Sequence, residues 1–136
     1  MKALLDTNIV SLAMSADPAV LRQLARLPLG DAAISAVTYA EIRYGLARLA
    51  AASPNELLQR KQELFDRLLD HLEVLAWDRD AAEAYAVERT ACEADGEPLD
   101  QADLVILAHA VASKRTLVTR DAALLQRGRK GSVVGW

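Results

Sequence analysis

The sequence of 136 residues contains one cysteine, Cys92, and only two histidines, His71 and His109. A single cysteine excludes an internal disulfide and fits a reducing cytoplasm. The two histidines are separated by 37 residues and lack the close spacing of paired metal ligands. We therefore interpret Cys92 as structural, His71 as a helix-end residue, and His109 as packed or hydrogen-bonded rather than catalytic.

Long apolar runs are also missing from the sequence. No run approaches the roughly 20 apolar residues that a membrane-spanning helix needs. Asp6 interrupts the apolar core that a secretion signal requires. The Gly-rich nucleotide motifs and the Gly-x-Ser-x-Gly nucleophile motif are absent as well. With 52% hydrophobic and 26% charged residues, the sequence predicts a soluble cytoplasmic protein with one globular domain, residues 1–136.

The net charge of −3 hides an uneven distribution along the chain. Residues 1–112 carry 10 basic and 18 acidic side chains, whereas residues 113–136 carry 6 basic and one acidic side chain. A polyanion would be repelled by most of this surface and attracted to its C-terminal part. The pattern is compatible with a local nucleic-acid contact, and an ordinary solvated basic face explains it equally well.

Short apolar runs alternate with helical patterns along the whole chain. The predicted strands are 3–5, 32–34, 74–77, 116–119 and 132–134. Strands that alternate with helices predict an α/β fold with a parallel sheet and right-handed crossovers. Ligands of such sheets bind beyond the carboxyl ends of the strands, so we expect the functional residues just after each strand.

Several helix starts are marked by capping residues. We predict caps at Asp17, Asp78 and Asp100. Ser53-Pro54-Asn55-Glu56 matches a capping box in which Pro54 is the first helical residue.

Four acidic residues follow the predicted strands or lie in first helical turns: Asp6, Glu41, Asp103 and Asp121. Carboxylates about 4 Å apart repel by about 4 kcal/mol at an effective dielectric of about 20, so such a group needs protons or a counter-ion. Oxygen ligands without Cys or His favour Mg²⁺ or Mn²⁺ over zinc. The pattern therefore indicates metal-assisted phosphodiester hydrolysis.

Each acid also has a purely structural interpretation. Thr38-x-x-Glu41 matches a capping box, so Glu41 could simply satisfy a backbone N–H at a helix start. Asp6 and Asp121 could be helix caps, and Asp103 a favourable charge in a first helical turn. Taken singly, each acid is as well explained by capping as by chemistry.

Five segments together resemble the PIN domain, above all the VapC and FitB toxins of bacterial toxin–antitoxin pairs. The segments are 4–8, Ser35-x-x-Thr38-x-x-Glu41-x-x-x-Gly45, Gly96-x-Pro98-Leu99-x-x-x-Asp103, 108–110 and 117–121. This resemblance implies a three-layer α/β/α domain with a five-stranded parallel sheet. It also implies a Mg²⁺- or Mn²⁺-dependent ribonuclease that is a homodimer, is blocked by a cognate VapB-like antitoxin, and contacts operator DNA only through that antitoxin.

By motif position, the resemblance places the main metal-binding acids at Asp6, Glu41 and Asp103, and a fourth, more variable acid at Asp121. Thr7, Asn8 and Thr119 lie beside them and are expected to orient waters or carboxylates. Asp100 is interpreted as a cap. Five basic residues are candidates for holding RNA phosphates: Arg43, Arg120, Arg127, Arg129 and Lys130.

Two other functions remain open. One is a phosphoryl-handling α/β domain: a receiver with Asp78 as the phosphoacceptor, or a phosphatase, although Asn8 stands where the phosphatase pattern has a second acid. The other is a catalytically silent PIN module that acts only through its antitoxin partner.

Overall fold

The computed structural model describes residues 1–128 and 132–136, and five parallel strands form its sheet. The strands are β1 (Ala3–Leu5), β2 (Ala32–Ser35), β3 (Glu73–Leu75), β4 (Thr116–Val118) and β5 (Val133–Val134). Their order across the sheet is β3-β2-β1-β4-β5, so the first strand lies at the centre. The predicted parallel sheet is confirmed.

Seven helices connect these strands in the described part of the chain. They are α1 (Thr7–Met14), α2 (Pro18–Arg26), α3 (Ala36–Ala52), α4 (Glu56–Leu69), α5 (Arg79–Ala94), α6 (Gln101–Ala112) and α7 (Ala122–Arg127). None of these helices has the length and apolar character needed to cross a bilayer.

Successive residues of the central strand face opposite sides of the sheet, and each side has its own core. Leu5 lies in a cluster with side chains of α1 to α4, including Phe65, which is fully buried. Leu4 lies in a second cluster with Ile106 and Leu107 of α6 and Leu124 of α7. Because both faces of the sheet are covered, the domain has the three α/β/α layers that the resemblance implied.

Most of the predicted helix starts are confirmed, and one is wrong. Asp17, Asp78 and Asp100 each accept a hydrogen bond from the backbone N–H three residues ahead. The capping box at Ser53 is the exception, because Ser53 ends α3 and Asn55 caps α4 by accepting from Leu58 N at 3.1 Å. A residue before proline is disfavoured in the helical conformation, which explains why α3 ends at Ser53. Asn is at least as good a cap as Ser, so α4 can begin after Asn55.

The third strand is shorter than predicted and ends at Leu75 instead of Trp77. The Trp77 indole N–H donates to the Val105 carbonyl at 3.1 Å, and Asp78 already caps α5. The chain therefore leaves the sheet two residues early to pack against α6. The other four strands agree with the prediction to within one residue at each end.

The strand order argues against the receiver alternative. In receiver-like sheets of order 2-1-3-4-5, the third strand lies beside the first. Here β2 separates β3 from β1, and β3 lies at the edge of the sheet. Asp78, which follows β3, therefore does not adjoin Asp6, which follows β1.

Candidate active site

The four predicted acids surround one open depression at the carboxyl edge of the sheet. Its volume is about 310 Å³, and its lining includes Asp6, Glu41, Asp103 and Asp121 together with Asn8. Asp6 and Asp121 follow β1 and β4, which are neighbours in the sheet, while α3 and α6 bring in the other two acids. Residues from four distant stretches of the chain thus meet at one place.

Asp6 is the most buried of the four acids, with 8% of its surface exposed. Its Oδ2 accepts from the Thr119 hydroxyl at 2.7 Å, and its Oδ1 accepts from Thr7 N at 2.7 Å. Burial raises the pKa of Asp6 above its ordinary value, although both hydrogen bonds oppose the shift. The carboxylate is therefore held in one orientation on a buried support.

Glu41 reaches the depression from the second turn of α3. Its Oε2 accepts from the Thr7 hydroxyl at 2.8 Å, and the Thr7 and Thr38 hydroxyls lie 3.1 Å apart. The capping-box interpretation of Thr38 and Glu41 is wrong, because Ser35 caps α3 directly after β2 and Thr38 is fully buried inside the helix. Glu41 is thus oriented by a threonine of α1.

Asp103 lies in the first turn of α6, and Asp121 caps α7 by accepting from Leu124 N at 3.0 Å. Burial and the neighbouring carboxylates Asp121, Asp100 and Asp6 raise the pKa of Asp103 to about 6. The capping roles of Asp6, Asp100 and Asp121 are confirmed, and two of these caps also face the depression. Capping and site roles are therefore compatible in the same residue.

The oxygens around the depression fit a hard divalent cation. The ligand set is carboxylates without Cys or His, and the buried Asn8 Oδ1 has no hydrogen-bond partner among the described residues. Within residues 1–128 and 132–136, no three acidic, His or Cys side chains are close enough together to form a ready-made metal cage.

Thr7 and Thr119 contact the acids as expected. Three of the basic residues expected to hold RNA phosphates instead donate to carboxylates outside the depression. Arg43 donates to Asp66, Arg120 to Asp17, and Arg127 to Asp95. The other two candidates for phosphate contact, Arg129 and Lys130, lie outside the described residues. Three of the five basic residues proposed to contact RNA phosphates are therefore paired with carboxylates of the same chain.

The remaining polar candidates lie away from the depression. Cys92 is buried in α5, and His109 is buried in α6, where desolvation lowers the pKa of the imidazole. Neither residue lines the depression. Sequence reasoning missed Ser11, which does line it; the four-residue spacing from Thr7 on α1 is the signal that indicates a shared helix face.

The fold and the acids around the carboxyl edge define an α/β protein with a parallel sheet, and comparison with known families identifies which one it belongs to. The model of the PIN domain matches residues 3–130, so the chain belongs to the PIN-domain family. It is 35% identical over 121 residues to VapC ribonuclease Y4jK of Sinorhizobium fredii, covering 86% of this chain and 85% of that protein. It is 33% identical to Toxin FitB of Neisseria gonorrhoeae, covering 87% of this chain and 86% of FitB.

Solved structures agree with this assignment. VapBC2 from Rickettsia felis, bound to a DNA fragment from its promoter, matches with a TM-score of 0.83 and 28% identity, covering 100% of this chain and 99% of that chain. A toxin–antitoxin complex from Klebsiella pneumoniae matches with a TM-score of 0.73 and 26% identity, covering 97% of this chain and 95% of that chain. The chain is therefore a homologue of the VapC and FitB toxins in both sequence and fold.

Proposed function

We propose that this protein is a Mg²⁺- or Mn²⁺-dependent endoribonuclease toxin of a VapBC-type module. The observation that carries the proposal is the meeting of Asp6, Glu41, Asp103 and Asp121 around one depression at the carboxyl edge of the sheet. Three related proteins are named as ribonucleases or as an endonuclease, which supports RNA cleavage as the reaction. Single-stranded or loop RNA is the expected substrate, because its backbone and bases are accessible to a shallow site.

The four acids and Asn8 are the residues that would hold the ion. A bound divalent ion supplies an activated water for attack on a phosphodiester and neutralises charge on the phosphate oxygens. Asp6 presents carboxylate oxygens that Thr119 and the Thr7 amide hold in place. The Thr7 hydroxyl does the same for Glu41. Because these orienting groups are hydroxyls and a backbone amide, they fix the carboxylates without neutralising them.

The raised pKa of Asp103 indicates that the depression favours an added positive charge. Burial is the largest cause of this shift, and three nearby carboxylates add to it by repelling the ionised form of Asp103. A proton or a metal cation relieves that repulsion. The repulsion among the carboxylates, one of the causes of the raised pKa, thus also favours cation binding.

For the partners, we infer a cognate VapB-like antitoxin that blocks the site, with operator DNA contacted only through that antitoxin. The structural relatives include a toxin–antitoxin complex and a VapBC complex bound to promoter DNA, which supports this inference. A homodimer remains an expectation from the resemblance.

Cleavage of RNA by purified wild type, Asp6→Asn and Asp103→Asn proteins tests the proposal. We expect wild type to cleave in Mn²⁺ or Mg²⁺, cleavage to stop when the ion is chelated, and both variants to lose at least about a hundredfold in rate. Sequencing of the new 5′ ends identifies the cleavage positions. Equal cleavage by Asp6→Asn would show that the site is assigned wrongly.

A catalytically silent PIN module predicts a different result. Such a protein would show no cleavage and no heat of Mg²⁺ or Mn²⁺ binding in calorimetry, while still binding its antitoxin. Metal binding that disappears in Asp6→Asn separates the enzyme from this alternative.

A further inference from the structure

Gly45 lies in the interior of α3, and the fold gives no reason for a glycine there. Its φ is not positive, and a Cβ built on it would meet no atom within 4 Å. Glycine weakens a helix interior relative to alanine because it loses more conformational freedom on folding. A glycine that neither backbone conformation nor close packing requires points to a surface that must remain open.

The open space beside Gly45 is a second depression of about 320 Å³. It shares Thr7, Ser11 and Glu41 with the acid-lined depression, so the two are continuous along one surface. Gly45 is one helical turn from Glu41, which places both on the same face of α3. A strand whose phosphate lies at the acids can therefore extend directly into this second depression.

The walls of the second depression suit one nucleotide. The partly buried Leu49 provides apolar surface for a base, next to the nearly buried Met14 and Leu46, and Lys61 of α4 provides a positive charge. None of the ion pairs among residues 1–128 and 132–136 involves Lys61. This distinguishes it from Arg43, Arg120 and Arg127, which are paired within the chain.

We propose that this depression binds the nucleotide adjoining the scissile phosphodiester of single-stranded RNA, with its base beside Gly45 against Leu49 and its outer phosphate at Lys61. The proposal rests on the proposed ribonuclease function and names a determinant of substrate binding for the same site. In this arrangement Gly45 provides the room for the base. The volume of the depression is near the lower end of the range of about 300–1,000 Å³ that is typical of small-ligand pockets. Such a volume fits a single nucleotide better than a docked helix.

A larger side chain at position 45 tests this assignment without touching the acids. Gly45→Leu fills the depression, and the open space around the added Cβ predicts that the protein folds normally. Ala47→Leu is the matched control, because it adds a similar side chain to an exposed position of the same helix that lines neither depression. Thermal melts and Mn²⁺ calorimetry verify the fold and the metal site of both variants.

The substrate is an oligoribonucleotide with a mapped cleavage position, together with versions that carry one abasic residue on the 5′ or the 3′ side. We expect Gly45→Leu to lower kcat/KM on intact RNA by roughly ten- to hundredfold, the factor that corresponds to one stacked base. Ala47→Leu is expected to match wild type. An abasic residue on one side should lower the wild-type value and remove the difference between wild type and Gly45→Leu.

Several outcomes overturn the inference while leaving the proposed function intact. In each of them wild type cleaves RNA and Asp6→Asn does not. Cleavage by Gly45→Leu at the wild-type rate excludes a nucleotide in this depression. A defect that persists equally with every abasic RNA excludes base binding there. Gly45→Leu could also cleave RNA fully but no longer be inhibited by the product of a neighbouring antitoxin gene. That result assigns the depression to a protein partner. Cleavage by Asp6→Asn instead contradicts the proposed function itself.

Discussion

The acids at the candidate active site and three arginines elsewhere on the molecule are arranged in opposite ways. Arg43, Arg115 and Arg127 each form an ion pair with a carboxylate from a distant part of the chain. The four acids of the depression form no ion pair within the described residues; hydroxyls, backbone amides and one another are their neighbours. These three arginines are neutralised within the chain, whereas the four acids are not.

This difference separates stability from function. Paired arginines contribute to holding helices and strands together, so their loss lowers the free energy of unfolding. Crowded carboxylates without cations oppose folding, so they are retained for another reason, which we infer to be metal binding. Three predictions test this separation, in order of decreasing expected magnitude.

Mn²⁺ should raise the thermal stability of the wild-type protein, because an ion that binds only the folded state stabilises it. At about one hundred times Kd, binding adds about 2.7 kcal/mol to the free energy of unfolding. Asp6→Asn should lose most of this gain. The measurement is Tm by circular dichroism with and without Mn²⁺. An equal Mn²⁺-dependent rise in Tm for Asp6→Asn would contradict a site at these acids.

Replacement of Arg127 by Met should lower the free energy of unfolding by about 1–2 kcal/mol without changing RNA cleavage. The guanidinium is only 15% exposed and pairs with Asp95 and Glu97, whose loop precedes α6. Urea unfolding measures the effect. Arg79→Met is the matched control, since its pair with Glu83 lies on the open surface and should contribute at most about 0.5 kcal/mol. A specific loss of cleavage by Arg127→Met would instead support the phosphate-contact hypothesis for this residue.

Asp103→Asn should stabilise the metal-free protein at pH 7 and have little effect near pH 4. The pKa of Asp103 is raised from 3.8 to about 6, so the folded state binds more protons than the unfolded state between these values. Wild-type stability therefore falls as the pH rises through this window. Because the side chain is partly exposed, solvent screening reduces the expected gain at pH 7 to about 1 kcal/mol.

The control for this pH dependence is Asp80→Asn, which changes an exposed acid in the first turn of α5. The negative charge of Asp80 interacts favourably with the N-terminal end of the helix dipole. Its replacement should therefore slightly lower Tm at pH 7, whereas Asp103→Asn should raise it. A Tm difference between Asp103→Asn and wild type that is the same at pH 4 and pH 7 would contradict a pKa of Asp103 raised by burial and by the neighbouring acids.

Local signals account for the parts of the fold that were predicted correctly. A cap, the residues it serves and the apolar stripe behind it are close in sequence, so Asp17, Asp78 and Asp100 could be recognised without tertiary information. The capping boxes at Ser53 and Thr38 were wrong because a neighbouring cap, Asn55 or Ser35, satisfies the same backbone groups. Two adjacent caps compete, and the sequence pattern does not rank them.

Local sequence accounts for the alternation of strands and helices, because each element depends on neighbouring residues. It also accounts for Asp6 and Asp121 just after strands, for Glu41 within the helix after the second strand, and for Asp103 at a helix start. Tertiary structure brings together groups that are distant in the sequence. Examples are Thr7 with Glu41, Arg115 with Glu73, and Lys61 with the depression beside Gly45. Such contacts join residues tens of positions apart, and only strand order and helix packing fix them, because the same local pattern is compatible with more than one arrangement of neighbours.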